Sequence, residues 1–425
     1  MRYWVAALLF LTTASQAEPL AITGATLWTG TADEPVRNAT IVISNEQIVA
    51  VGAALVPPPT ARVIGAQGRT ITAPLDAAAT QIGLVEVAGA SDTDDRAVQS
   101  GPFGAAFDVS LGVDANDLPV QAARAAGVAR ALDFPGPAAN GLFAGQAARL
   151  DLAGHSNIVA RSRVALFVTA GGAASHAAGG SRAAMWGELR NALTEARQLG
   201  ARPGVYKPRD QLLSHVELEA LLPVLARRIP LAVVAEREAD IRQAVAVGQD
   251  LGINIVIVGG AEAWRTADLL ASHHVAVVLD PLDELPVSYD SIGARRDNAK
   301  RLAAAGVTIS FMVSGQGIYL SYDVGPALRE GAGIAVANGL PYAQALRAIT
   351  QNASEIWGDP KRSGTIRAGG PADLVIWDGD PLEPSTAPVA VLLNGREVSL
   401  TTRQTLLRDR YRPPTGERRA SPQSP

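Results

Sequence analysis

The stretch LAVVAEREADIRQAVAVGQDLGINIVIV, residues 231 to 258, sets the reading of the whole chain. Leu231–Ala235 and Ile253–Val258 are short runs rich in Val and Ile, without the polar alternation of a half-exposed strand. Such runs belong to strands covered on both faces. Between them Ala239–Gln249 reads as a helix, so the stretch is one strand–helix–strand unit. The pattern continues with helices at Ala261–Ser272 and Ile292–Ala305 and strands at Val275–Leu279 and Val307–Val313. Strand then helix, repeated in this way, is what half of a (β/α)8 barrel looks like.

Upstream, Val128–Leu132 and Val164–Thr169 are further strands. Arg182–Leu199 places Met185, Leu189, Leu193, Ala196 and Leu199 at helical spacing, and Ser214 with Glu217 three residues on reads as a capping box. Before Pro74 the texture is β hairpins, at Ala25–Trp28, Ala39–Ser44 and Gln47–Gly52. It returns to β at Ala372–Trp377 and at Val389–Leu393, which turns through Asn394-Gly395 into Arg396–Leu400. The predicted fold class is therefore α/β: a (β/α)8 TIM-type barrel over residues 73–360, with one composite β-sandwich domain built from residues 18–72 and 361–405. Residues 406–425, rich in Pro, Ser and Arg, read as a disordered tail.

The first residues have the order of a signal peptide: Arg2, an apolar core from Tyr3 to Leu11, then Ser15-Gln16-Ala17 as a small-residue cleavage site. Residues 1–17 are expected to direct export, with the periplasm as destination. A net charge of −4 and a pI near 5.8 give no basic face for nucleic acid, so a small molecule is the expected partner. No later run reaches the ~18 apolar residues of a membrane span. The absence of cysteine rules out disulfides and thiolate metal sites.

Two segments carry a resemblance. Residues 346–355, LRAITQNASE, and residues 364–378, GTIRAGGPADLVIWD, match a final helix and closing strands, while Ile22–Thr26 and Ile48–Gly52 match opening strands. The chain in this respect resembles the amidohydrolase superfamily, in particular its imidazolonepropionase-like and prolidase-like exported branch. That resemblance implies the barrel, hydrolysis of carbon–nitrogen bonds in dipeptides or non-peptide amides, and zinc or another divalent ion to activate water.

The resemblance also implies where the ligands of that ion belong. A His-x-His pair at the end of the first barrel strand falls on Ala79 and Gln81, single histidines ending strands 5 and 6 fall on Val234 and Gly259, and an aspartate ending strand 8 falls on Ser314. None of these is an imidazole or a carboxylate. The five histidines include no His-x-His: His155 and His176 lie in Gly/Ala-rich loops, His215 in the first turn of a helix, and His273 and His274 at the bottom of the barrel. Of the lysines, Lys207, Lys300 and Lys361, only Lys207 lies in a sector suited to a bridging role. No metal or other cofactor is therefore expected.

Other chemistry has weaker signals. Ser314-Gly315 lacks the preceding glycine of a nucleophile elbow. Gly179-Gly180-Ser181-Arg182 opens a helix where an anion could sit. Glu86, Asp133, Glu236 and Asp280 fall near strand ends, where a barrel mouth gathers side chains. The pocket candidates are thus Gln81, Glu86, Glu236, Asp280 and Ser314. The expected function is an impaired, metal-free relative that binds a small amide-like or cyclic ligand; the alternatives are a hydrolase using these residues, or a non-catalytic periplasmic scaffold.

Overall fold

The computed structural model describes residues 18–87, 89–137, 141–154, 156–201, 213–283, 285–313, 323–359 and 364–412. The signal-peptide expectation at 1–17, His155, Lys207, Ser314, Lys361 and the tail beyond 412 lie outside the described residues.

Eight strands make the barrel sheet: β6 (Leu75–Thr80), β7 (Val128–Asp133), β8 (Phe143–Asp151), β9 (Val159–Thr169), β10 (Leu231–Ala235), β11 (Ile255–Gly259), β12 (Ala276–Leu279) and β13 (Ile309–Phe311), paired in that order. The last strand, β13, comes back alongside β6, so the sheet nearly closes. The barrel expectation holds, with one departure. Strand β8 runs antiparallel to both β7 and β9, while the other ladders are parallel. The chain segments on either side of β8 are too short for the crossover of a dozen or more residues that a parallel pair demands, so β7, β8 and β9 meander.

The helices are α1 (Leu118–Ala125), α2 (Gly172–Ala177), α3 (Arg182–Ala201), α4 (His215–Leu225), α5 (Glu238–Leu251), α6 (Ala267–Ser272), α7 (Asn298–Ala304), α8 (Val324–Ala337), α9 (Tyr342–Thr350), α10 (Asn352–Ile356) and α11 (Arg403–Tyr411). Apolar faces of α3, α4, α5, α8 and α9 pack on the outward side chains of the strands in one large core. Ser214 caps α4 as expected, accepting from the Glu217 amide. The other half of the capping box is absent: the Glu217 carboxylate accepts instead from the amides of Gly104 and Ala106, at 3.1 and 3.2 Å, fastening a distant loop. Helix α11 corrects the expectation of disorder from residue 406. Thr402 and Thr405 form a reciprocal capping box, which gives the helix a local start although it buries no side chain.

Inside the barrel a second core holds Ala78, Leu132, Ala147, Phe167, Val256, Val278 and Met312 with Trp357, whose indole donates to the Ala78 carbonyl at 2.8 Å. A buried ion cluster adjoins it. Asp76, with no exposed surface, accepts from Arg149 Nη1 at 2.7 Å and from Ser354 Oγ at 2.6 Å, with Arg130 Nε at 3.8 Å. Burial pushes the Asp76 carboxyl up, but the Arg149 charge and hydrogen bond, with Arg130 and Ser354, outweigh it and hold it below its ordinary value.

Both chain ends meet in the second sheet, ordered β16-β15-β14-β5-β1-β2-β3. Its strands are β1 (Leu20–Leu27), β2 (Val36–Ser44), β3 (Gln47–Ala53), β4 (Arg62–Gly65), β5 (Thr70–Thr72), β14 (Leu374–Trp377), β15 (Pro388–Leu393) and β16 (Arg396–Glu397). The sheet is continuous. Irregular register in β1 lets it pair with β2 on one side and with β4 and β5 on the other, so the sheet folds over a core of Ile22, Ile41, Ile71, Leu374 and Ile376. The seam between the chain ends is β5 against β14, reinforced by the Trp377 indole donating to Thr72 Oγ1 at 2.9 Å. Gly364 enters this region at φ 60°, and a Cβ there would collide with the Thr350 carbonyl, so only glycine serves the turn.

Candidate functional site at the barrel mouth

Strand β6 ends in an irregularity between Ala77 and Thr80. Ala78 and Ala79 consequently both join the apolar core inside the barrel, against which Val234 from β10 also packs. Two of the positions where the resemblance expects a ligand are thus aliphatic packing. Gln81, just past β6 and almost fully buried, donates to the Phe134 carbonyl at 3.5 Å and accepts from Arg96 Nη1 at 3.2 Å. Its amide oxygen therefore already faces a guanidinium, which Asp94 holds at 3.1 Å.

At the end of β11, Gly259 takes φ +89°. A Cβ there would overlap the carboxylate of Glu236, so the space of the expected histidine belongs to an acid from the end of β10. Glu236 Oε2 accepts from the Ala261 amide at 2.8 Å. Burial, supported by the negative charges of Asp283, Asp290 and Asp280, outweighs that hydrogen bond and pushes the carboxyl up to about 7. Asp280, ending β12, accepts from the Leu282 amide at 2.8 Å; Asp283 is itself raised by burial and by Asp280. Glu236, Asp280, Asp283, Arg295 and Asn298 enclose a space of about 20 Å³, room for a single water.

The acids expected to meet in one mouth fall into two groups, which corrects the expectation of a single gathering. Glu236 and Asp280 share the β10–β12 side. Strand alternation in β7 sends Leu132 into the barrel and Ala131 to the outer core, which puts Asp133 on the outer side with Asp117 and Glu86. Asp133 is fully buried, and neither of its carboxylate oxygens makes a hydrogen bond of acceptable geometry. Burial raises it well above its ordinary value, against the nearby Ile82 amide and with help from Asp117. Asp117 is pushed up to about 6 by burial and by the charges of Glu86 and Asp114. Sequence reading missed Asp117, Asp283 and Arg96, because each acquires its meaning from neighbours distant in the chain; the position of Asp117 just before Leu118-Pro119, a helix start, was the one local signal.

The described histidines and the glycine-rich helix start are accounted for. His176 lies on α2 rather than in a loop, because Gly171 to Ala178 closes into helical turns. His215 is exposed and pairs with Glu219 at 3.2 Å. His273 and His274 stand at the bottom of the barrel, as expected. The start of α3 holds no free anion place: Arg182 there is engaged by Asp240 and Asp290, and Asp290 also accepts from the Gly172 amide at 2.7 Å.

A divalent ion needs three or more converging imidazole or carboxylate donors. Ala79, Val234 and Gly259 supply no side-chain donor, and the Gln81 oxygen is occupied by a cation. The described residues at this mouth do not fit the metal that the resemblance implies.

Comparison with known proteins agrees with the fold. Residues 242–404 match the model of the amidohydrolase family. The protein amidohydrolase tasK of Hapsidospora irregularis is 46% identical over 57 residues, 13% of this chain; the match spans 6% of that protein's length. An amidohydrolase from Thermotoga maritima superposes with a TM-score of 0.77 at 23% identity, covering 89% of this chain and 99% of its own. An adenosine deaminase from Xanthomonas campestris with bound zinc gives 0.52 at 16% identity, covering 92% and 96%. The C-terminal segment thus matches the amidohydrolase family, and the near-closed barrel with a sheet made by both chain ends has the fold of a solved amidohydrolase.

Proposed function

We propose that this chain keeps the amidohydrolase scaffold without metal-dependent hydrolysis, and binds a small amide-like or cyclic ligand at the C-terminal mouth of the barrel. The observation that carries the reading is the filling of the ligand positions: Ala79 and Val234 are packed into apolar core, and Gly259 makes way for Glu236. An isolated dication has no place among such groups. Glu236, at about 7, is a neutral carboxylic acid in much of the population near neutral pH, and so can donate a hydrogen bond to an amide carbonyl. Export through residues 1–17 to the periplasm belongs to the same proposal.

The test has two parts. Elemental analysis after purification without chelators is expected to find no stoichiometric zinc, iron or manganese; one tightly held ion per chain would overturn the reading. A panel of dipeptides, hydantoins, lactams and N-acyl amino acids is expected to raise the melting temperature without turnover. A second reading, metal-independent hydrolysis with Glu236 as general base, is favoured by the same value of about 7, which suits proton transfer at neutral pH. Reproducible turnover that is abolished by Glu236→Gln would select it instead.

A further inference from the structure

A second cavity lies at the opposite end of the barrel, where β9 to β13 begin. It has a volume of about 860 Å³, within the range of small-molecule sites. Its inner wall is apolar, with Ile229, Val275, Val307 and the buried Trp357, and its rim carries Arg161, Arg163, Arg227, Arg228 and His274 against a single carboxylate, Glu355. In a chain with a net charge of −4 this is a local reversal of sign.

Two of these arginines are held in place by neutral acceptors. Arg161 donates to the carbonyls of Trp357 and Gly358, at 2.8 and 2.9 Å, and Arg227 donates to the amide oxygen of Asn254 at 3.3 Å. Neutral acceptors fix a guanidinium and leave its charge for a further partner. Arg163 differs, being paired with Asp108 at 2.8 Å. The backbone adds an independent observation. In the turns that lead into β11 and β13, Gly252 and Gly306 take the left-handed conformation, with φ of 64° and 84°. At the equivalent turns into β10 and β12 the left-handed residues are Arg227 and His274, at 56° and 52°. Side chains with a Cβ are disfavoured there, and glycine is the ordinary choice. Two of the four turns thus place a basic side chain at the cavity rim in a conformation that favours glycine.

We infer that this basal cavity is a second binding site, for an organic anion with a carboxylate or phosphate head and an apolar body. The head is met at the rim by Arg161, Arg227 and Arg228, and the body lies on the Val275, Val307 and Trp357 wall. The site is separate from the upper mouth and does not depend on what binds there.

Calorimetric titration of the full chain with decanoate, decyl phosphate and decanol tests it. Decanoate and decyl phosphate should bind with one-to-one stoichiometry, more weakly as salt rises, and decanol at least tenfold more weakly than either. Their relative affinities distinguish a carboxylate from a phosphate ligand. The double variant Arg227→Gly, Arg228→Ala should lose at least tenfold in affinity for both anions while melting no lower than the parent, because glycine relieves the turn. Glu236→Gln, at the other mouth, should leave both affinities unchanged. Equal binding of decanol, undiminished anion binding by the double variant, or loss of anion binding in Glu236→Gln would each overturn the inference.

Discussion

At the residue scale, Glu236 and Gly259 act as one unit. The acid is raised to about 7 from an ordinary 4.5, so between those values the folded protein holds a proton that the unfolded chain has released. Stability from this group is therefore fully present below about 4.5 and is lost as pH rises through 7. Glu236→Gln should remove that loss: thermal melts are expected to agree with the parent near pH 5 and to exceed it near pH 8, by on the order of 1–2 kcal/mol after discounting for partial solvent access. Identical melts at both pH values would show that the carboxyl is not perturbed. Gly259→Ala meets both an unfavourable backbone conformation and the Glu236 carboxylate, and should destabilise by roughly 2 kcal/mol or more. Part of that loss should return when Glu236→Ala is added, a coupling that a double-mutant cycle reads directly. Placing histidine at Gly259 meets the same obstacle, so building a metal site there requires moving the acid first.

At the scale of elements, Asp76 joins four of them: β6 carries it, β7 brings Arg130, β8 brings Arg149 and α10 brings Ser354. Asp76→Ala leaves Arg149 buried without a counter-charge and Arg130 with Asp373 alone, at 3.6 Å, and should cost roughly 3–5 kcal/mol in chemical denaturation, whereas Ser354→Ala should cost only about 1 kcal/mol. This cluster also explains what the sequence could and could not disclose. Strands β10 to β12 announce themselves as apolar runs, and helices α3 and α5 by their spacing. Strand β8 does not, because Gln146 and Arg149 interrupt it, and both are buried only by virtue of partners more than forty residues away, Ala105 and Asp76. The same limit applied at the mouth. That Ala79, Gln81, Val234 and Gly259 lack ligand chemistry was legible from residue type alone. That Glu236 fills the room beside Gly259 depends on the left-handed end of β11, and that Glu86 and Asp133 belong to a different cluster from Asp280 depends on strand alternation in β7, which only the three-dimensional arrangement reveals.

For the whole molecule, the seam between β5 and β14 makes the sheet domain a joint product of both chain ends. Removing residues 364–412 takes away β14, β15 and β16 and strips Ile71 and Ile22 of part of their core. The truncated chain should lose β content beyond the deleted strands and melt without a cooperative transition, as followed by circular dichroism; an unchanged N-terminal sheet would contradict the shared core. The seam has a further consequence for biosynthesis. Thr72 and its partner Trp377 are 305 positions apart, so a ribosome that has finished β5 must still make most of the protein before β14 emerges. At about 5–20 residues per second that interval is on the order of 15–60 s. For that time β5 presents an unpaired edge to its surroundings, and translocation machinery or a holdase that keeps the nascent chain extended would protect it from adhesion to other chains until its partner arrives.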